Sequence, residues 1–186
     1  MFFDRKPATV TPDLANLTVS DARPGDALSV AGAAPDFSDI DCNVDRVEYF
    51  EAGPRRWWEL SGMWRDIRVA LEVHAQDTLE VFGQFDGRKF TLDELGLSED
   101  DLAEIDQRQN QSDFFDYNGK FWMYRSSREI GLFTSPNGTG RGFYCWLFQE
   151  QESKRFLQIR KFEGEPFAGL LWTKLDPSDV TVYRGA

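Results

Sequence analysis

The chain has 186 residues and a formal net charge of −11, from 32 acidic and 21 basic side chains. This length suffices for one domain with a sizeable core that needs neither metals nor disulfides. The excess of acid excludes nucleic acid as an expected partner, because binding to phosphates requires cations that displace counterions. The apolar runs are all much shorter than a membrane span, so we also expect no direct membrane insertion.

The N-terminus and the cysteines bear on the expected compartment. Residues 1–7 carry charged side chains too early for the apolar core of a signal peptide. The two cysteines, Cys42 and Cys145, stand far apart in the chain. We therefore expect a cytoplasmic protein with two reduced, buried thiols and no cofactor.

The first part of the chain is predicted to contain an N-terminal arm and several strands. Residues 1–24 contain three prolines among scattered polar residues and predict an extended N-terminal arm, from which Leu14, Leu17 and Val19 lie across a sheet. Alternation of apolar and polar residues predicts strands over residues 27–30, 39–51, 55–60, 66–74 and 78–85.

An acidic helical segment follows these strands. Thr91 with Glu94 three residues later fits a capping box, and Ser98 followed by acids repeats the signal for a helix start. Leu102 and Ile105 supply a thin apolar stripe. The pattern predicts a small acidic two-helix insert at about residues 91–109.

The second part of the chain is again rich in strands. Asn118-Gly119 between two apolar runs predicts a tight hairpin. The predicted strands cover residues 114–117, 120–125, 129–134, 142–148, 154–162, 167–173 and 179–184.

The hairpin at residues 142–162 is predicted to be central. Its first arm is apolar on both faces and must therefore be covered on both sides. Its second arm places Gln158 and Arg160 opposite Leu157 and Ile159, which predicts a half-exposed strand.

These elements predict a mainly β fold, at most α+β, with about ten to twelve mainly antiparallel strands. The expected architecture is an antiparallel β-sandwich or a partly open barrel of two β-rich halves, with the acidic two-helix insert between them. We interpret residues 25–186 as a single β-rich domain behind the arm at 1–24. Residues 25–90 and 112–184 are candidate half-repeats.

Charge is distributed unevenly along the chain. Residues 93–116 contain nine acids and one base, whereas residues 120–161 contain eight bases and three acids. The favoured interpretation is that the two segments complement each other within the fold. The alternative is that they form two surfaces for different partners.

One acidic pattern resembles a metal site. Asp39, Asp41, Asn43 and Asp45 alternate as in the front of a calcium loop. However, Val44 occupies the position of the sharp-turn glycine, and the bidentate acid at the end of such a loop is missing. A strand with a polar outer face explains the same spacing, so we predict no metal site.

The patterns that could indicate catalysis are also weak. His74 is the only histidine, and its candidate partners Cys42 and Cys145 lie on apolar strand faces, where thiols are usually inert. The glycines at 138, 140 and 142 resemble a phosphate-binding loop, but a strand follows them where such a loop requires a helix. We therefore predict no catalytic residue.

The candidate ligand or partner surface combines aromatic and charged residues. Trp57 and Trp58 are adjacent in a predicted strand and point to opposite faces, so one of them is a candidate for exposure. Glu163 and Glu165 lie in a predicted turn, where they are an acid–base pair or ordinary surface acids that pair with Arg160 and Lys161.

A family resemblance follows from a few short motifs. Gly25-Asp26 before the first strand, a hairpin arm with Trp57-Trp58-Glu59-Leu60 and a later Trp-bearing hairpin resemble the domain-of-unknown-function family 4178. The similarity covers roughly residues 20–184, and the insert at 91–109 has no place in the family pattern. The resemblance implies a bacterial, intracellular β-rich domain with no catalytic residues to carry over. It also implies that the protein is encoded near genes for phage-shock-type membrane-stress proteins and near polyamine or ion-channel genes.

Two functions are expected from these observations. The first is a non-enzymatic binding or adaptor module with a protein partner, in a stress- or envelope-associated system, with exposed aromatic residues that border an acidic or basic patch. The alternative is an enzyme or binder that acts on a small cation such as a polyamine. It requires a cavity that gathers carboxylates from among Asp39, Asp41, Glu163 and Glu165.

Overall fold

The structure is a computed structural model, and it describes residues 17–185. Within these residues, eleven strands form one antiparallel sheet that is accompanied by two α-helices and two short 3-10 helices. The strands are β1 (Ala27–Val30), β2 (Ile40–Ala52), β3 (Arg55–Trp64), β4 (Ile67–His74), β5 (Glu80–Gln84), β6 (Phe114–Tyr117), β7 (Lys120–Phe133), β8 (Arg141–Glu150), β9 (Arg155–Phe162), β10 (Ala168–Leu175) and β11 (Val180–Tyr183). The helices are α1 (Leu92–Leu95), α2 (Glu99–Arg108) and the 3-10 turns Val19–Asp21 and Pro177–Asp179.

Eight of the strands close into a ring, in the order β2-β3-β4-β5-β10-β9-β8-β7. Two short seams complete it: β2 pairs with β7 through Tyr49–Glu51, and β5 pairs with β10 through Thr173–Leu175, each over three residue pairs. The ring therefore consists of two four-stranded sheets that face each other. The prediction of a mainly antiparallel β fold, as a sandwich or partly open barrel with a two-helix insert, is confirmed.

Side-chain alternation separates the ring into an interior and a covered exterior. Outside β2–β5, a core that includes Leu60 and Leu71 packs under β1 and β11. Outside β7–β10, a second core that includes Phe148 and Ile159 packs under the two helices. Both outer faces are thus apolar, and the interior holds separate smaller clusters.

The central hairpin forms as predicted, from β8 and β9. On β8, Phe143 and Cys145 pack inside the ring while Trp146 and Phe148 pack against the helices, so both faces are covered. The prediction that β9 is half-exposed is wrong. The face that carries Arg160 points into the ring, and its side chain is 11% exposed.

The acidic insert also forms as predicted. The capping boxes at Thr91 and Ser98 are both present, and Leu102 and Ile105 are buried. The segments 120–125 and 129–134, predicted as two strands, are one strand, β7, because a bulge between Tyr124 and Ser126 lets the pairing with β8 continue.

Part of the predicted N-terminal arm lies within the described residues. Leu17 and Val19 pack against the outer core of β1–β5, and Val19 lies in a short 3-10 helix. Leu14 lies outside the described residues. Among residues 17–185, neither helix has the length and hydropathy needed to cross a membrane.

Asp26 joins the start of the sheet to its last strand. Its buried carboxylate accepts hydrogen bonds from the backbone N–H of Arg23 at 3.0 Å and of Gly185 at 3.1 Å, and it pairs with Arg184 at 2.6 Å. We expect Asp26→Asn to lower the free energy of unfolding by about 1–3 kcal/mol, because the charge-assisted acceptor is lost. Urea unfolding measures this loss, with the exposed Asp41→Asn as control. An equal effect of the two substitutions would contradict the role assigned to Asp26.

Candidate functional site

The interior of the ring contains a buried charged cluster, which consists of Glu59, Glu72, His74, Gln158 and Arg160. Glu59 on β3 and Glu72 on β4 are direct cross-strand neighbours, and Gln158 and Arg160 lie two residues apart on β9. Because strand residues alternate in direction, the leucines and valines beside them face the outer cores and these polar groups face inward. The cluster therefore connects the two sheets of the ring.

Glu72 is the best-connected member of the cluster. Its Oε1 lies 2.8 Å from Nη2 of Arg160, and Nε2 of Gln158 donates to its two oxygens at 3.1 and 3.0 Å. Nε2 of His74 lies 3.4 Å from its Oε2. Burial pushes the pKa of Glu72 upward, but the hydrogen bond with His74, the charge of Arg160 and the Gln158 contact outweigh it and hold the pKa below its usual value.

Glu59 has fewer and longer polar contacts than Glu72. Its Oε2 lies 3.6 Å from Nη2 of Arg160, beyond hydrogen-bond distance, and has no hydrogen-bond partner among the described residues. Burial raises the pKa of Glu59 to about 7; the charge of Arg160 opposes this shift, and those of Glu72 and Glu48 add to it. The cluster therefore holds one firm ion pair and a second carboxyl that gains a proton near neutral pH.

Aromatic rings complete the surroundings of Arg160. Its guanidinium carbon lies 5.4 Å from the ring centroid of Phe50, 5.5 Å from Phe143 and 5.7 Å from Trp172. The faces of these rings attract a cation. Although burial lowers the pKa of Arg160, the charges of Glu59 and Glu72 outweigh this and raise it, so the guanidinium stays charged.

A cavity of about 120 Å³ opens beside the cluster, and we call it the ring cavity. It is lined by Arg55, Trp57, Glu72, His74, Ser126, Arg128, Ile130, Cys145, Leu147 and Gln158. Among residues 17–185, neither Arg55 nor Arg128 has a carboxylate within 4.0 Å. The cavity thus combines apolar walls with two unpaired cations.

Trp57 forms one wall of the ring cavity. Its indole stacks on the ring of His74, with centroids 5.2 Å apart, and on Phe50 at 5.6 Å. The indole Nε1 is buried and has no acceptor among the described residues.

The thiols do not provide a nucleophile. Both cysteines are free; Cys145 lines the ring cavity, and Cys42 is half-buried on β2. Burial raises the pKa of Cys145 to about 12, and burial together with Asp45 and Asp41 raises that of Cys42 to about 11. Both groups therefore stay protonated at neutral pH and are poor nucleophiles.

The structure separates the residues predicted to form a ligand or partner surface. Trp57 and Arg160 both lie inside the ring, and Trp58 is half-buried outside it. Glu163 and Glu165 lie exposed in the turn after β9, where Glu165 pairs with Arg141 at 2.7 Å and not with Arg160. Sequence reasoning missed Glu59, Glu72, Gln158, Arg55 and Arg128, and the only available signal was polar residues at alternate positions of apolar strands.

The weak metal candidates have other roles. Asp39 accepts a hydrogen bond from the backbone N–H of Gly32, Asp45 forms a bidentate pair with Arg68, and Asp41 is exposed. Within residues 17–185, no group of three or more His, Cys, Asp or Glu side chains is placed to hold a metal ion.

Of the carboxylates suggested for a cationic substrate, none lines the ring cavity. Asp39 and Asp41 lie at the start of β2, whereas Glu163 and Glu165 lie in the turn between β9 and β10. The ring cavity therefore does not bring these four acids together.

The resemblance to the domain-of-unknown-function family 4178 rests on Gly25-Asp26 and on the Trp57–Leu60 segment. In the structure, Asp26 binds Arg184 and Gly185, which follow the last strand, and Trp57 and Glu59 face the ring interior. Membership in that family stays a prediction from these motifs. No protein-family model, curated protein or solved structure matches the chain.

Proposed function

We propose that the protein is a non-enzymatic binding module whose ring cavity takes a small organic anion with an apolar body. The observation that carries this proposal is the pair of unpaired arginines, Arg55 and Arg128, which line a partly apolar cavity in a chain with a net charge of −11. An arginine fork matches the two oxygens of a carboxylate.

The size of the cavity restricts the ligand. A cavity of about 150 Å³ in another protein accommodates benzene, so about 120 Å³ suits a body of roughly five or six carbon atoms. Ile130 and Leu147 offer apolar contact to such a body, and the indole of Trp57 forms one wall. A short aliphatic or aromatic carboxylate fits this combination.

The buried acid in the cavity does not favour a cation. Glu72 already receives hydrogen bonds or ionic contacts from Gln158, His74 and Arg160. A cationic ligand would have to displace these partners while lying beside Arg55 and Arg128, and both changes cost free energy. The observations therefore support an anion over a polyamine.

Benzoate titration with calorimetric detection tests the proposal, with neutral benzamide and cationic benzylamine as matched probes. We expect benzoate to bind and benzamide to bind at least about tenfold more weakly, because it lacks the charge that the arginines pair with. Arg128→Gln should weaken benzoate binding by a similar factor, whereas Arg46→Gln, at an exposed arginine outside the cavity, should leave it unchanged. Tighter binding of benzylamine than of benzoate would overturn the proposal in favour of a cation.

A place for this module in a bacterial stress- or envelope-associated system is a separate part of the proposal. It rests on the family resemblance alone.

A further inference from the structure

A second candidate surface lies at the free end of the sheet, away from the ring cavity. Strand β6 is terminal in the strand order and pairs with β7 alone among the described strands. The N–H and C=O groups on its other edge therefore have no strand partner, and such an edge can accept an additional strand.

Two exposed aromatic side chains mark this end of the sheet. Phe114 is 55% exposed and Phe121 is 47% exposed, and their rings meet edge to face with centroids 5.1 Å apart. Phe114 pairs in register with Met123, and Phe121 with Asp116, so the two phenylalanines are diagonal neighbours on one face of the hairpin. Together they form an apolar patch that is open to solvent.

A groove of about 340 Å³ lies between β6 and the acidic insert. Phe114 lines it together with three acids, Asp101, Glu104 and Asp113, and one base, Arg108. Arg108 pairs with Glu104 at 3.1 Å and with Asp113 at 2.8 Å, so the groove keeps an excess of negative charge.

The acidic segment is not neutralised by the basic segment that follows it. Among the described residues, no ion pair joins an acid of residues 93–116 to a base of residues 120–161; the acids pair instead with the nearby Arg88 and Arg108. Glu99 and Asp100 at the start of α2 are exposed and form no ion pair within the described part of the chain. This favours a separate surface for a partner over complementation within the fold.

We propose that this end of the sheet binds an extended, basic segment of a partner protein, which pairs with the edge of β6. The backbone of the segment forms a ladder of hydrogen bonds with the free edge of β6. One of its apolar side chains covers Phe114 and Phe121, and its lysines or arginines face the acids of α2. The excess of acid selects the charge of the partner, and the exposed rings add contact with apolar groups and with cations. This site is independent of the anion in the ring cavity.

The probe is a fluorescent peptide in which lysine and valine alternate. The fluorescence anisotropy of this peptide, measured as the full chain is added, gives Kd. We expect binding that weakens as salt is added, and no comparable binding of the matched peptide in which glutamate replaces lysine. The lysine–valine peptide with N-methyl groups along one edge should bind much more weakly, because it cannot form the ladder. Equal binding of the glutamate or the N-methylated peptide would overturn the proposal, as would failure of the unmodified lysine–valine peptide to bind.

Two variants locate the site. Phe114→Ser should raise Kd about tenfold through the loss of apolar contact, while Phe37→Ser, at a phenylalanine that is 86% exposed elsewhere, should not change it. The double variant Glu99→Gln/Asp100→Asn should lessen the salt dependence, and Asp41→Asn/Asp77→Asn is its charge-matched control. Sedimentation velocity supplies the competing outcome: a dimer of the wild type that Phe114→Ser abolishes would assign the edge to a second copy of the chain and overturn the proposal.

Discussion

Replacing Arg160 with methionine is expected to lower the free energy of unfolding by about 3–5 kcal/mol, because it leaves a buried carboxylate without its charged partner. Methionine keeps much of the length and apolar contact of the side chain, so the loss reports mainly on charge. Glu72 loses a contact of 2.8 Å, and Glu59 loses the only cation near it among the described residues. Urea unfolding at neutral pH measures the effect.

Two further variants separate this explanation from a general loss of packing. Arg141→Met removes an exposed arginine that pairs with Glu165, and we expect it to cost less than about 1 kcal/mol. Adding Glu72→Leu to Arg160→Met should recover most of the lost stability, because a pair of apolar residues replaces a pair of buried charges. A double variant no more stable than Arg160→Met alone would show that packing, not the orphaned charge, causes the loss.

Replacing Glu59 with glutamine is expected to change how stability depends on pH. The pKa of Glu59 rises from an ordinary value of 4.5 to about 7 in the folded protein, so the folded state holds the proton more tightly than the unfolded state. The stability contributed by this group is complete below about pH 4.5 and is lost as pH rises through about 7. Above pH 8 the loss amounts to roughly 3 kcal/mol at most.

Glutamine cannot ionise, so the variant should escape this loss. We expect Glu59→Gln and the wild type to unfold at similar urea concentrations at pH 5, and the variant to be the more stable of the two at pH 9. Glu163→Gln, at an exposed carboxylate, should keep the wild-type dependence on pH. Parallel stability curves for Glu59→Gln and the wild type between pH 5 and pH 9 would show that Glu59 is ionised throughout.

Local sequence signals were sufficient to predict most of the strands. Alternation and turn residues placed β1 and β6 at their observed bounds, and Asn118-Gly119 forms the predicted hairpin turn with both residues at positive φ. The capping boxes of the insert are equally local, because each is satisfied within one turn of helix.

Which face of each strand meets solvent could not be predicted in the same way. Alternation on β9 separates Gln158 and Arg160 from Leu157 and Ile159, but it does not indicate which side meets water. In this fold both sides are largely covered, since the outer face lies under the helices and the inner face points into the ring. A polar face in a closed sheet is therefore mistaken for a solvent face when only the sequence is considered.

The ring cavity depends on contacts that are distant in the chain. Arg128 lies in a polar run that predicted a break between two strands, and only the bulge in β7 keeps it in the sheet. Arg55 follows a turn and has no distinguishing local pattern. Both reach the cavity because β2 and β7 pair across a long sequence separation, which single-sequence periodicity does not encode.

The two short seams of the ring have a consequence for how the molecule opens. Within each four-stranded sheet, neighbouring strands are joined by five to ten residue pairs, whereas only three residue pairs at each seam join one sheet to the other. The two sheets are thus natural units of partial unfolding, and the ion pair between Glu72 and Arg160 connects them inside the ring. Loss of that ion pair would let the two sheets separate at the seams. The ring interior would then become exposed to solvent before either sheet loses its own strands.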